Sequence, residues 1–266
     1  MRIAWLTDIH LNFVDAPEQE AFLQRVRQTR VDAVLLGGDI GEAKDVVRFL
    51  AAMDDCWQLP LYFVLGNHDF YFGSIAGVRD EILELCGQRP WLTYLSEARP
   101  ISLTPRLALV GHDGWADARL GDYERSLVMM NDYRLIAELA RFDKQQRWPQ
   151  LMALGDEAAA HIRRVLPAAL ERHEQALLLT HVPPLREACW HEGRISDDQW
   201  APHFTCKAMG DAILEVMRDF PSRQLTVLCG HTHGAGETQP LENVHILTGA
   251  ATYGYPEITD ILEFAD

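Results

Sequence analysis

A chain of 266 residues, 48% hydrophobic and 24% charged, has enough apolar sequence to bury a large core and too much to stay disordered. Its 39 acidic residues against 24 basic ones leave a formal charge of -15, which repels polyanions and disfavours a long nucleic-acid partner or an anionic membrane surface. The five cysteines (Cys56, Cys86, Cys189, Cys206 and Cys229) are scattered without a C-x-x-C pair, and no apolar run approaches the ~18 residues of a membrane span, so free thiols in a cytoplasmic protein are expected.

Three short apolar runs, 3–6, 33–36 and 61–65, read as strands, each followed by a polar or glycine turn and then by helical spacing. That spacing is carried by Phe22 and Val26 in 18–30, by Val46, Val47 and Leu50 in 42–53, and by Ile82 and Leu85 in 77–85. Shorter strands follow at 101–103 and 107–110. The polar segment after them, with His112, Asp113, Trp115, Asp117 and Arg119, suits either a cap over a site or a solvated loop. Helical sequence runs on to about residue 171, with Pro149 placed for the first turn of its second helix and His161 and His173 on its surface.

A strand at 176–179 precedes a loop reaching about residue 205, in which Trp190, His191, Trp200 and His203 serve as pocket walls or as anchors. A helix over 207–218 stops before Pro221. Strands near 224–228, 245–247 and 258–264 read as an antiparallel meander, and Tyr253-Gly254-Tyr255-Pro256 reads as a turn, with lining of the cleft as the lesser alternative. The elements predict one α/β domain over residues 1–266, two mixed β-sheets sandwiched between helical layers, with cap or substrate-shaping segments near 112–150 and 185–206.

Residues with metal-binding side chains recur where strands end. Asp8-Ile9-His10 follows the first strand, Gly37-Gly38-Asp39 the second and Gly66-Asn67-His68-Asp69 the third; Thr180-His181 and Gly230-His231-Thr232-His233 follow later ones. Loops at the carboxyl ends of strands are where such folds build sites. Alternate residues of an extended segment point the same way, so Asp8 with His10 and His231 with His233 can each face one cavity. Asp69 is expected to brace the turn or a neighbouring ligand.

The order D-x-H, G-D, G-N-H-D, H and G-H-x-H, spread over residues 8–233, resembles the calcineurin-like metallophosphoesterases. The resemblance implies a four-layer α/β/β/α fold and two metal ions. Asp8, His10, Asp39 and His233 would hold one, and Asp39, Asn67, His181 and His231 the other. His68 would face the phosphoryl group, donating to its oxygen or protonating the leaving alcohol, and Glu42, three positions after the bridging Asp39, would orient it.

The chemistry agrees with the residue types. Imidazoles and an amide add no negative charge, so two carboxylates leave a divalent pair with roughly +2 to attract a phosphate. Two metals about 3.5–4 Å apart acidify a shared water, and the resulting metal-bound hydroxide attacks in line without a covalent enzyme intermediate. Oxygen and nitrogen donors of this kind accept Mn, Fe, Zn, Ni or Co, in divalent or mixed-valence pairs.

The protein serine/threonine phosphatase branch typically continues its bridging aspartate as V-D-R-G and carries an arginine soon after G-N-H-E. Here the corresponding stretches read Asp39-Ile40-Gly41-Glu42-Ala43-Lys44 and His68-Asp69-Phe70-Tyr71-Phe72-Gly73. Without an arginine clamp for a phosphomonoester dianion, a small phosphodiester or organic phosphate is the expected substrate, with a protein phosphatase as the alternative. A scaffold that keeps the fold without turnover typically loses ligands, whereas every position is filled here. Amidohydrolases also cluster His and Asp, but Asn67 and the terminal G-H-x-H favour the phosphoesterase.

Overall fold

The computed structural model describes residues 1–264. The first half alternates β1 (Arg2–Leu6), α1 (Ala16–Gln28), β2 (Ala33–Gly37), α2 (Val46–Trp57), β3 (Leu61–Val64), α3 (Ile75–Gln88) and β4 (Leu92–Tyr94). Caps set where these helices begin: Asp15 accepts from Glu18 N ahead of α1, and Ser74 from Gly77 N ahead of α3, each at 3.0 Å. Strands β5 (Ile101–Ser102) and β6 (Leu107–His112) follow, then two short helices, α4 (Asp132–Leu135) and α5 (Ala137–Ala140), and the long α6 (Lys144–Leu170).

The expected long helical region is therefore broken. Ile136, with extended dihedrals, separates α4 from α5, and Asp143 with Gln146 forms a capping box that restarts the helix as α6. Because that box lies more than a turn upstream, Pro149 falls inside α6 rather than in its first turn, as does Pro167. His161 departs from expectation too: it is buried, its ring 5.1 Å from that of His112 and its Nδ1 2.9 Å from Arg164 Nη2.

Next come β7 (Gln175–Thr180), a small hairpin of β8 (Trp190–His191) and β9 (Arg194–Ile195), α7 (Ala201–Phe204) and α8 (Lys207–Asp219). The chain ends with β10 (Gln224–Cys229), β11 (Gly236–Leu241), β12 (Val244–Thr248) and β13 (Asp260–Glu263). One sheet has the order β13-β1-β2-β3-β4 and the other β11-β12-β10-β7-β6-β5. The meander expected at the C-terminus is not formed. β10 runs parallel to both β7 and β12, only β11 is antiparallel to β12, and β13 crosses to the first sheet, pairing antiparallel with β1. That crossing covers the exposed edge of β1, which an unpaired strand would leave open to other chains.

Period-two alternation builds three cores from these strands. Ala4, Leu6, Val34 and Leu36 face α1, α2 and α3, while Ile3, Trp5, Ala33 and Leu35 face the other sheet. Likewise Leu177 and Leu179 meet them from β7, and Ala176 and Leu178 pack under α6 and α8. Strands apolar on both faces must be covered on both, which yields the sequence of layers helix, sheet, sheet, helix. No helix among the described residues is long and apolar enough to cross a membrane.

Candidate metal centre

The parallel strands β1, β2, β3, β7 and β10 end at one rim, and their following turns are unusually bent. Asp8 (φ 51°), His10 (φ 41°), Asp39 (φ 52°), His231 (φ 70°) and His233 (φ 59°) all occupy the left-handed region. Each such non-glycine residue costs on the order of 1–3 kcal/mol and persists only where its surroundings fix it. Here they do: Asp8 N donates to Gly38 O at 3.1 Å, His10 N to Asp39 O at 2.9 Å, and His231 N to Asp8 Oδ1 at 3.0 Å. Glycine permits the close approach. A Cβ on Gly66 would sit 2.1 Å from Asp39 Oδ1, and one on Gly230 2.0 Å from Asp8 Oδ2.

The partners of His181 and His231 fix which ring nitrogens carry protons. His181 Nδ1 lies 2.8 Å from the Gly37 carbonyl and His231 Nε2 3.1 Å from the His203 carbonyl. A carbonyl only accepts, so those nitrogens carry the protons and leave lone pairs on His181 Nε2 and His231 Nδ1. These two lone pairs face each other at 3.2 Å. Asn67 joins them in the same sense: its Nδ2 donates to Asp132 Oδ1 at 2.9 Å and lies 3.1 Å from Tyr71 Oη, which turns its Oδ1 towards His181 Nε2 at 3.1 Å. Asp39 Oδ1 completes the group 3.4 Å from His181 Nε2. Four potential donor atoms for a metal converge, an arrangement suited to a cation among them. Donors about 2.0–2.1 Å from one ion in tetrahedral or octahedral array stand about 3–3.4 Å apart, matching these separations.

A second group adjoins it. Ligand atoms of Asp8, His10, Asp39 and His233 all lie within 4.8 Å of one another. Within it His10 Nε2 is 3.1 Å from His233 Nε2 and 3.6 Å from Asp39 Oδ2, and His233 Nε2 is 3.4 Å from Asp8 Oδ1. Asp39 thus offers one oxygen to each group. Burial, with neighbouring His181, holds His10 and His231 down at about 3, so both are neutral and their lone pairs free near neutrality. Burial also raises Asp39, reinforced by Asp8 and Asp69. In Asp8 burial is outweighed by the bond to His233 and the nearby imidazoles, which keep its carboxyl low. In His233 burial is outweighed by Asp8, which raises it.

His68 stands at the edge of both groups. Its Nε2 is 4.0 Å from Asp39 Oδ2, its backbone N–H donates to Asp39 Oδ1 at 2.9 Å, and its ring lies 4.3 Å from that of Tyr71. Burial and the neighbouring His10 and His181 hold its pKa at about 2. The expected brace from Glu42 is not formed. Its carboxylate pairs with Lys44 at 3.2 Å while its carbonyl closes the turn into α2, and no hydrogen bond joins it to His68 among the described residues. The neighbour found instead is Tyr253, whose hydroxyl is 3.3 Å from His68 Nε2 and whose ring packs 4.5 Å from His10. The sequence around Tyr253 reads first as a turn and only secondarily as a lining of the cleft.

Asp69 braces as expected, accepting from Ile40 N and Gly41 N at 2.9 Å and from Gly66 N at 2.8 Å, which ties the second and third strand ends together. The 112–119 segment is neither a cap nor a solvated loop. Asp113 is buried, accepts from Leu65 N and Ser96 Oγ at 2.8 Å and from Tyr94 and Arg79, and its carbonyl takes His181 N. It positions the turns bearing Asn67 and His181. Of the aromatic loop, His203 is buried and supplies the carbonyl that orients His231, while Trp200 borders a pocket of about 570 Å³ with His68, Tyr71, Tyr253, Gln199 and residues 127–131.

Solved structures share this architecture. The chain is similar to phosphopantetheinyl hydrolase from Mycobacterium tuberculosis (TM-score 0.65, 15% identity, 96% of this chain and 89% of that one). It is similar also to a dimetal phosphatase from Danio rerio (0.57, 16%, 96% and 89%) and to the protein TT1561 of Thermus thermophilus (0.50, 15%, 94% and 88%). No curated protein sequence matches it. The profile of the calcineurin-like phosphoesterases matches residues 1–235, which contains the whole span of converging residues from Asp8 to His233, and the chain therefore belongs to that family of metal-dependent phosphoesterases.

Proposed function

We propose that the protein hydrolyses a small phosphodiester with two transition-metal ions, one held by Asp8, His10, Asp39 and His233 and the other by Asp39, Asn67, His181 and His231. The observation that carries this reading is the facing pair of lone pairs on His181 and His231, with Asn67 and Asp39 completing the donor set. Two bound ions would supply Lewis acidity towards a phosphoryl oxygen and acidify an attacking water.

The chain's own groups do the rest. Neutral His68 donates a hydrogen bond towards the phosphate rather than serving as a charged acid, because burial already depresses it and nearby cations act in the same direction. Tyr71 holds its ring, and the Tyr253 hydroxyl occupies the position where a substrate oxygen meets Nε2. Segments within 112–150 and 185–206 of the single domain shape the pocket through residues 127–131, Gln199 and Trp200. The five free cysteines suit a reducing cytoplasm.

The diester preference rests on missing cations. Among the described residues no Lys or Arg lines the 570 Å³ pocket, and none pairs with Asp8 or Asp39. A monoester dianion would lack the guanidinium fork that normally meets its second charge. A fold neighbour named for phosphopantetheinyl hydrolysis accords with a small organic phosphoester. Bis(p-nitrophenyl) phosphate compared with p-nitrophenyl phosphate at equal metal loading tests the reading: the diester should be turned over faster. A large preference for a phosphoprotein over both overturns it.

A further inference from the structure

Of the four consecutive apolar residues Leu127 to Met130 between β6 and α4, Met130 packs partly against the core, while Leu127 and Met129 are not there to fill it. Leu127 is 92% exposed and Met129 57%. Polar bonds hold their backbone in place: Ser126 Oγ donates to Gln199 O at 2.8 Å, Leu127 N to Gln199 Oε1 at 2.9 Å, and Val128 N to Ser126 Oγ at 3.2 Å. The segment is thus fixed with Leu127 and Met129 turned to water, an arrangement that marks a binding surface rather than a packing device. The nearby ammonium of Lys144 is engaged by the carbonyls of Glu124 (3.1 Å) and Ser126 (2.6 Å).

These residues share their pocket with His68 and Tyr253, so the apolar wall runs directly into the metal centre. Trp200 closes one side, and Phe13, 51% exposed, extends the rim by packing 4.8 Å from Tyr253. The volume, about 570 Å³, is that of a small-molecule site, and no formally charged side chain lines it. A nucleoside polyphosphate would meet no Lys or Arg there for its further phosphates.

We propose that this pocket takes an uncharged alkyl or aryl group esterified to the phosphate, with Leu127, Met129, Met130, Trp200 and Tyr253 as its specificity-determining residues. The proposal rests on the phosphodiesterase reading of the adjoining centre. In turnover of an alkyl p-nitrophenyl phosphate, the water oxygen bonds to phosphorus and its proton passes to solvent, the bond from phosphorus to the nitrophenyl oxygen breaks, nitrophenolate leaves, and the alkyl phosphate monoester is left in the pocket.

The test uses metal-loaded protein and a series of methyl, propyl and hexyl p-nitrophenyl phosphates. kcat/KM should rise about two- to fourfold per methylene until the wall is covered. The double variant Leu127→Asp with Met129→Asp, and separately Trp200→Ala, should flatten the slope measured within each protein. Calorimetric binding of methyl-, propyl- and hexylphosphonate reads the same slope without turnover. If neither series shows a chain-length trend, or the trend survives unchanged in both variants, the pocket assignment is wrong. A trend in phosphonate binding with no ester hydrolysed supports the pocket and overturns the catalytic reading, whereas hydrolysis of the methyl ester without any trend does the reverse.

Discussion

His68 lies beside both donor groups without joining either, its imidazole held by Tyr71 and met by Tyr253. A positioned donor of this kind is worth roughly 10²–10⁴-fold in rate, so His68→Ala should lose turnover on that order while retaining its metal. Tyr253→Phe should give a smaller loss, and Glu42→Gln should stay near wild type because the Glu42 carboxylate faces Lys44. Metal content and kcat on the same preparations decide this, and loss of metal in step with activity in His68→Ala would make His68 a support for the ligands. At this scale the converging residues are readable from sequence because each sits in a short motif directly after an apolar run. Their holders are not. Asp132 and Tyr71 reach Asn67, and the His203 carbonyl reaches His231, only through the tertiary fold, so no local spacing announces them. Tyr253 lies in what sequence marks chiefly as a turn.

The elements converge because glycine lets neighbouring turns touch. Gly66→Ala would place a methyl 2.1 Å from Asp39 Oδ1, and the turn must move or Asp39 must. The expected outcome is loss of metal with the far-ultraviolet dichroism retained, since the displacement falls in a turn and leaves the strands intact. Gly87→Ala is the control: it lies in α3 with nothing within 4 Å of its Cβ, so it should be neutral or stabilising by up to ~1 kcal/mol in a denaturant titration. The βα alternation is legible because period-two and helical spacing separate cleanly in β1 through α3. Strand direction near the C-terminus is not, since β10, β12 and β13 have similar short apolar patterns whether parallel or antiparallel. Their partners are chosen by long-range pairing, β10 between β7 and β12 and β13 against β1. The breaks around α4 and α5 escape for a similar reason: Ile136, an ordinary helix residue, is pulled extended where Ala137 N bonds back to Gly73 O.

The whole molecule should be sensitive to acid well above the carboxylate range. Burial holds His161 at about 4 against an ordinary 6.5, so between those values the unfolded chain binds more protons and stability falls as pH drops from about 6.5 to 4. Glu157 adds to this lower down: the neighbouring His112 and Arg79 hold it at about 2, a contribution present above its ordinary 4.5 and lost as pH falls towards 2. Unfolding free energies from urea titrations at pH 7 and pH 5, taken in chelator so that metal uptake plays no part, should differ by about 1 kcal/mol less in His161→Gln than in wild type. An unchanged difference would show that His161 does not titrate in this range. Bridging of two cations by Asp39 is the proposal on which the others depend. Elemental analysis with anomalous diffraction on the metal-loaded protein should find two ions per chain about 3.5–4 Å apart, one at Asp8, His10 and His233 and the other at Asn67, His181 and His231, and Asp39→Ala should empty or disorder both. A single ion in the wild type, or a fully occupied pair in Asp39→Ala, would contradict it.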